Sequence, residues 1–151
     1  MKGSVVRYLV SEAITDENRK LRIGMSLFDK LCREARGSAK GILLVPTINN
    51  LEEGTSLESF LTGYNSGEIV EDLRNDIDVL LPCGMPFSLR TTRTFDNLNE
   101  KVIVLSVHAN QNILGKIDES DNVKAVIVVS GIKSQVEQWK EQRSPKIATD
   151  Y

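Results

Sequence analysis

Two apolar runs without polar alternation, Val102–Val107 and Val123–Val129, constrain this chain more than any other feature. A strand with one face in water alternates apolar and polar residues; a strand covered on both faces does not. Three further runs, Val5–Val10, Ile42–Val45 and Val79–Leu81, are also rich in Val, Ile and Leu. Between the runs the period changes. Leu21, Met25, Phe28, Leu31, Cys32 and Ala35 recur at spacings of three and four, one stripe of a helix. Asp16 or Thr15 is placed to cap its start and Gly37 to stop it, while Gly24 weakens it by about 1 kcal/mol relative to alanine.

The other connections read similarly. Thr55 to Glu58 has the form of a capping box ahead of Phe60 and Leu61. Ile69, Val70 and Leu73 mark a second short helix with Ser66 near its cap. Asn110 is placed to cap a helix carrying Ile113, Leu114 and Ile117. Ser134 and Glu137 form a box for a last helix that turns Ile132, Val136 and Trp139 inward. Strands alternating with helices imply crossover units and parallel pairing. The expectation is an α/β three-layer sandwich on a mostly parallel five-stranded sheet, Rossmann-like or flavodoxin-like. Residues 1–143 form a single domain in this reading, and 144–151 a C-terminal tail. Gly84–Glu100 has no helical stripe, so the strand beside it is either antiparallel or followed by a functional loop.

At 151 residues the chain is long enough for one substantial core. No stretch of about 18 apolar residues occurs, which excludes a membrane-spanning helix. The start of the chain lacks an export pattern, because Arg7 interrupts its apolar run and Ser11 and Glu12 follow it. A cytoplasmic location is the expectation. The net charge of −2 argues against a general binder of polyanions. Arg19, Lys20, Arg22, Lys30, Arg33 and Arg36 spread around the first helix instead of gathering on one face, so nucleic acid is not an expected partner. The charge is nevertheless uneven. Residues 1–40 hold nine Lys and Arg against five Asp and Glu, and residues 51–78 hold eight acids against Arg74 alone. Such asymmetry suits pairing with another copy or a protein partner.

In open parallel sheets, ligands gather beyond the carboxyl ends of the strands. The segments after the strands are Pro46–Asn50, Pro82–Pro86, His108–Asn112 and Ser130–Lys133. Thr47, Asn49, Asn110 and Ser130 offer hydrogen bonds there. Ser88–Thr94 adds Arg90 and Arg93 among three threonines, a combination suited to phosphate or carboxylate. Cys83 and His108 follow successive strands and form a candidate nucleophile and base. The fingerprints of dinucleotide sites, P-loops and hydrolase elbows are missing. One histidine and two separated cysteines suggest no metal site, and no motif indicates a cofactor. Two readings follow. The first is a non-catalytic binding or assembly domain, oligomeric or part of a complex. The alternative is an enzyme or sensor for a small anionic ligand, a nucleotide or sugar phosphate, lying across the strand tips.

Overall fold

The two unalternated runs become neighbouring strands in the middle of one sheet, as their composition demands. A computed structural model describes residues 5–35, 38–64, 67–96, 98–130 and 132–149. In chain order the elements are β1 (Val6–Val10), α1 (Glu17–Ala35), β2 (Lys40–Val45), a 3-10 turn (Ile48–Leu51), α2 (Ser56–Tyr64), α3 (Gly67–Arg74), β3 (Val79–Leu80), β4 (Pro86–Thr91), β5 (Val102–Val107), α4 (Gln111–Glu119), β6 (Val123–Val129), α5 (Lys133–Arg143) and β7 (Lys146–Ala148). The strand order is β3-β4-β2-β5-β6-β1-β7. Every neighbouring pair is parallel except β3 with β4.

The sheet is therefore mostly parallel, but it has seven strands and not five. One addition is β4, inside the stretch that showed no helical stripe. Its Phe87 and Leu89 are buried on one face, in the two-residue period of a strand. The other is β7, which lies in the expected tail and pairs with β1 from Tyr8↔Lys146 to Val10↔Ala148. Ser144 ends α5 in left-handed backbone at φ 47°, and Pro145 then prevents continuation, so the chain turns back along the sheet. The strand order also differs from both expected types. Counting the six parallel strands alone, it reads 3-2-4-5-1-6, with β1 outside β6 instead of near the centre.

Alternate side chains supply two cores. Leu43, Val45, Phe87, Ile103, Leu105, Val107, Ile127 and Val129 face α1, α2 and α3. Leu9, Ile42, Leu44, Val102, Val104, Val126 and Val128 face α4 and α5, with Phe95 from the β4–β5 connection. Each fully buried side chain of this kind contributes about 1.5–3 kcal/mol. Gly24 permits the close approach of α1: a Cβ there would stand 2.7 Å from Val129 Cγ2. Thus the glycine that weakens the helix locally lets it lie against the sheet. Among the described residues no helix is long and apolar enough to cross a membrane.

Helix ends agree with the sequence in part. Asp16 Oδ1 accepts from the N–H groups of Asn18 and Arg19, and Asn110 Oδ1 accepts from Ile113 N. Thr55 Oγ1 accepts from Glu58 N, while the Glu58 carboxylate reaches Gly54 N in place of Thr55 N. The box at Ser134 does not form, because α5 already begins at Lys133 with Ile132 at its cap. Ile132 is 61% exposed, contrary to the inward placement expected of it. Gly37, Ser66 and Arg36 lie outside the described residues.

Candidate functional site

The parallel strands bring their carboxyl ends to one edge. From one side to the other this edge carries the tips of β4, β2, β5, β6, β1 and β7. Chain leaving β1 enters the first turn of α1, which packs across β5 and β6. Glu17 and Lys20 are thereby delivered beside His108 and Ser130. These four residues, with Thr15, Leu21, Val107 and Val129, line a cleft of about 170 Å³. A second cleft of about 420 Å³ lies on the other side of His108, lined by Ala109, Asn110, Gln111, Asn112, Ile132 and Gln135. It sits between the amino ends of α4 and α5.

His108 is common to both clefts and has an unusual backbone. Its φ is 58°, in the left-handed region, while its N–H still donates to Val129 O at 2.9 Å. Outside glycine this conformation costs roughly 1–2 kcal/mol, although histidine tolerates it better than most residues. The reversal ends β5 and turns the imidazole toward α1. There His108 Nε2 stands 3.9 Å from Glu17 Oε1, longer than a hydrogen bond, with Glu17 half exposed. Lys20 Nζ donates to Ser130 O at 2.9 Å. Ser130 is buried, and its Oγ donates to Ile132 O and accepts from Ile132 N, which shapes the β6–α5 turn. Gln135 Oε1 accepts from Gln111 N at 3.4 Å and ties the starts of the two helices together.

The other sequence candidates fall elsewhere. Thr47 and Asn49 are exposed at the tip of β2, next to β5. Thr47 N donates to Asn50 Oδ1, which fixes the 3-10 turn. Arg90 lies in β4 with its Nη1 3.5 Å from Asp76 Oδ1. Arg93 is exposed in a turn closed by Thr91 N donating to Thr94 Oγ1 at 2.8 Å. Strands stand about 4.8 Å apart, which puts β4 roughly 10 Å from β5 along the edge. Thr47, Asn49, Arg90 and Arg93 thus flank the His108 clefts without lining them.

Cys83 is at the opposite end. Because β3 runs antiparallel to β4, the turn between them lies at the amino end of β4. A six-residue strand rises about 20 Å, so the structure does not assemble the expected pair of Cys83 and His108. The sequence rule placed every post-strand segment at one edge, and it fails at the single strand whose direction is reversed.

Comparison of the chain with models of protein families, with curated proteins and with solved structures finds no match. The clefts must therefore be judged on their own chemistry. They offer one cation held by a backbone carbonyl, one imidazole, one half-exposed carboxylate and several amides. Among the described residues no group of three or more His, Cys, Asp and Glu is arranged to hold a metal ion. Lys20, Glu17 and Gln135 were not singled out for the edge from sequence. Glu17 and Lys20 had a readable signal: a helix directly following a strand must begin at that strand's carboxyl end.

Proposed function

We propose that this chain is a non-catalytic binding domain for a small anionic ligand, held at the carboxyl edge of the sheet against His108. The observation that carries this reading is the meeting of two clefts on one strained residue at the tip of a central strand. Strained backbone persists where its surroundings fix it, and it concentrates at ligand-holding positions. Lys20 supplies positive charge, and the amino ends of α4 and α5 favour a negative group in the larger cleft. Asn110, Asn112 and Gln135 give it orientation, and Ile132 offers an apolar surface beside them.

A nucleotide or sugar phosphate fits this arrangement best. Such a ligand is long enough to extend over β2 toward Thr47 and Asn49, and further toward Arg90 and Arg93. The reading borrows the Rossmann-like mode of binding across strand tips, and a cytoplasmic setting belongs with it. His108 acts here as a binding group. A thermal-shift panel of nucleotides and phosphosugars tests the proposal. At a hundred times its dissociation constant a ligand adds about 2.7 kcal/mol of stability. The expected result is a rise with at least one compound that disappears in Lys20→Met. A flat response across the panel refutes it.

A second reading, an assembly domain, is favoured by one feature. Leu80 is 69% exposed and Ile77 51%, beside the stretch of β4 from Ser88 to Thr91 that pairs only with β2 among the described residues. An open edge flanked by apolar side chains suits strand addition by another copy or a protein partner. Light scattering after size exclusion tests this reading. A concentration-independent monomer that captures no partner removes it.

A further inference from the structure

The chain has two cysteines, and folding brings them together. Helix α1 runs back from the carboxyl edge, so its last turns, with Cys32, lie at the amino edge of the sheet. The turn Leu81–Met85 that joins β3 to β4 lies at the same edge. Phe28, one helical turn before Cys32, packs against Phe87 of β4 with ring centroids 5.3 Å apart, which sets Cys32 beside the turn carrying Cys83, both cysteines packed on the core beneath α1. They differ in access: Cys32 is 3% exposed, whereas Cys83 is only partly covered. Burial, then Cys83 and Asp29, push the Cys32 thiol well above the ordinary range. Asp29 is itself paired with Arg33 at 3.0 Å. Cys83 is thus the sulfur an oxidant can reach, and Cys32 lies covered behind it. The turn carrying Cys83 is closed by Leu81 N donating to Met85 O and Gly84 N to Leu81 O, with Gly84 at φ 90°.

We propose that Cys32 and Cys83 form a reversible oxidation site, closing a disulfide between α1 and the β3–β4 turn when a hydroperoxide reaches Cys83. In the first step the Cys83 thiolate attacks the peroxide, forming the sulfenic acid and releasing hydroxide when the oxidant is hydrogen peroxide. In the second, Cys32 sulfur attacks Cys83 sulfur. The S–O bond breaks, the S–S bond forms, and the Cys32 proton leaves with the hydroxyl as water. One peroxide is reduced and two thiols are oxidised. This site is independent of the His108 clefts.

The test treats the folded full-length chain with hydrogen peroxide, followed by intact mass, thiol labelling and peptide mapping. The expected product is a monomer lighter by two hydrogens, with both thiols lost, a Cys32–Cys83 linked peptide, and recovery of both thiols in dithiothreitol. In Cys32→Ser the oxidation stops at Cys83 sulfenic acid, which dimedone traps. Retention of both thiols, covalent dimers, or a two-oxygen gain on Cys83 with Cys32 still labelled overturns the proposal. The wild-type peptide map decides the matter even if the variant does not fold.

Discussion

Replacing His108 separates backbone strain from side-chain function. At an ordinary φ, glycine is less stable than alanine by roughly 0.5–1 kcal/mol, because it gains more freedom on unfolding. At φ 58° the alanine Cβ meets the strain of left-handed backbone, roughly 1–2 kcal/mol, which glycine escapes. Both variants lack the imidazole, so the weak pairing with Glu17 at 3.9 Å cancels between them. The backbone bond from residue 108 to Val129 O is available to both. The balance puts His108→Gly above His108→Ala by about 1 kcal/mol, or roughly 2–4 °C in Tm for a chain of this size. Urea titration of the two variants, with Tm as a check, measures the difference. Both should also lose any ligand-induced rise in Tm. If His108→Ala proves more stable than His108→Gly by the roughly 0.5–1 kcal/mol expected at an ordinary φ, the backbone is not strained and a ligand-holding position there loses its basis.

Three further outcomes follow from particular contacts. Gly24→Ala gains about 1 kcal/mol of helix propensity but drives a Cβ to 2.7 Å from Val129 Cγ2. Overpacking of this sort costs about 1–3 kcal/mol, so a net loss near 1 kcal/mol is expected in urea titration, with non-additive relief in Gly24→Ala/Val129→Ala. Leu44→Ala, fully buried at the centre of the sheet, should cost about 2–5 kcal/mol in the same assay. The Thr62 hydroxyl, and then Gly54 N–H, hold the Glu58 carboxyl below its ordinary 4.5. A depressed native pKa means that the stabilisation is whole above 4.5 and is lost as pH falls through the lowered native value. Amide protection in α2, corrected for the intrinsic exchange rate, should fall over that acid range, and Glu58→Gln should abolish the dependence.

The sequence made the central sheet legible because β5 and β6 are buried on both faces, which no half-exposed strand imitates. It made α1 legible through a long stripe whose only irregularity, Gly24, proved to be a packing contact. β4 escaped notice because Pro86 opens it and its buried positions, Phe87 to Leu89, span only three residues. β7 is three residues long, too short for any period to show. Strand order was beyond reach, since it depends on which faces the crossovers cover and not on the strands themselves. The placement of His108, Asn110 and Ser130 at the carboxyl edge was legible because tip residues of parallel strands share an edge. Cys83 was misplaced by the same rule, because the direction of β3 is set by a hairpin that its two-residue ladder barely announces. The strain at His108 had no sequence signal, as left-handed backbone is readable mainly where glycine supplies it.

Amide chemical shifts followed by two-dimensional NMR, during titration with the ligand that raises Tm most, test the binding edge most directly. The account predicts that the largest shifts fall on Lys20, His108, Asn110, Ser130 and Gln135, with smaller ones at Thr47 and none around Cys83. Shifts centred on Leu80 and the edge of β4, or scattered without focus, would contradict it.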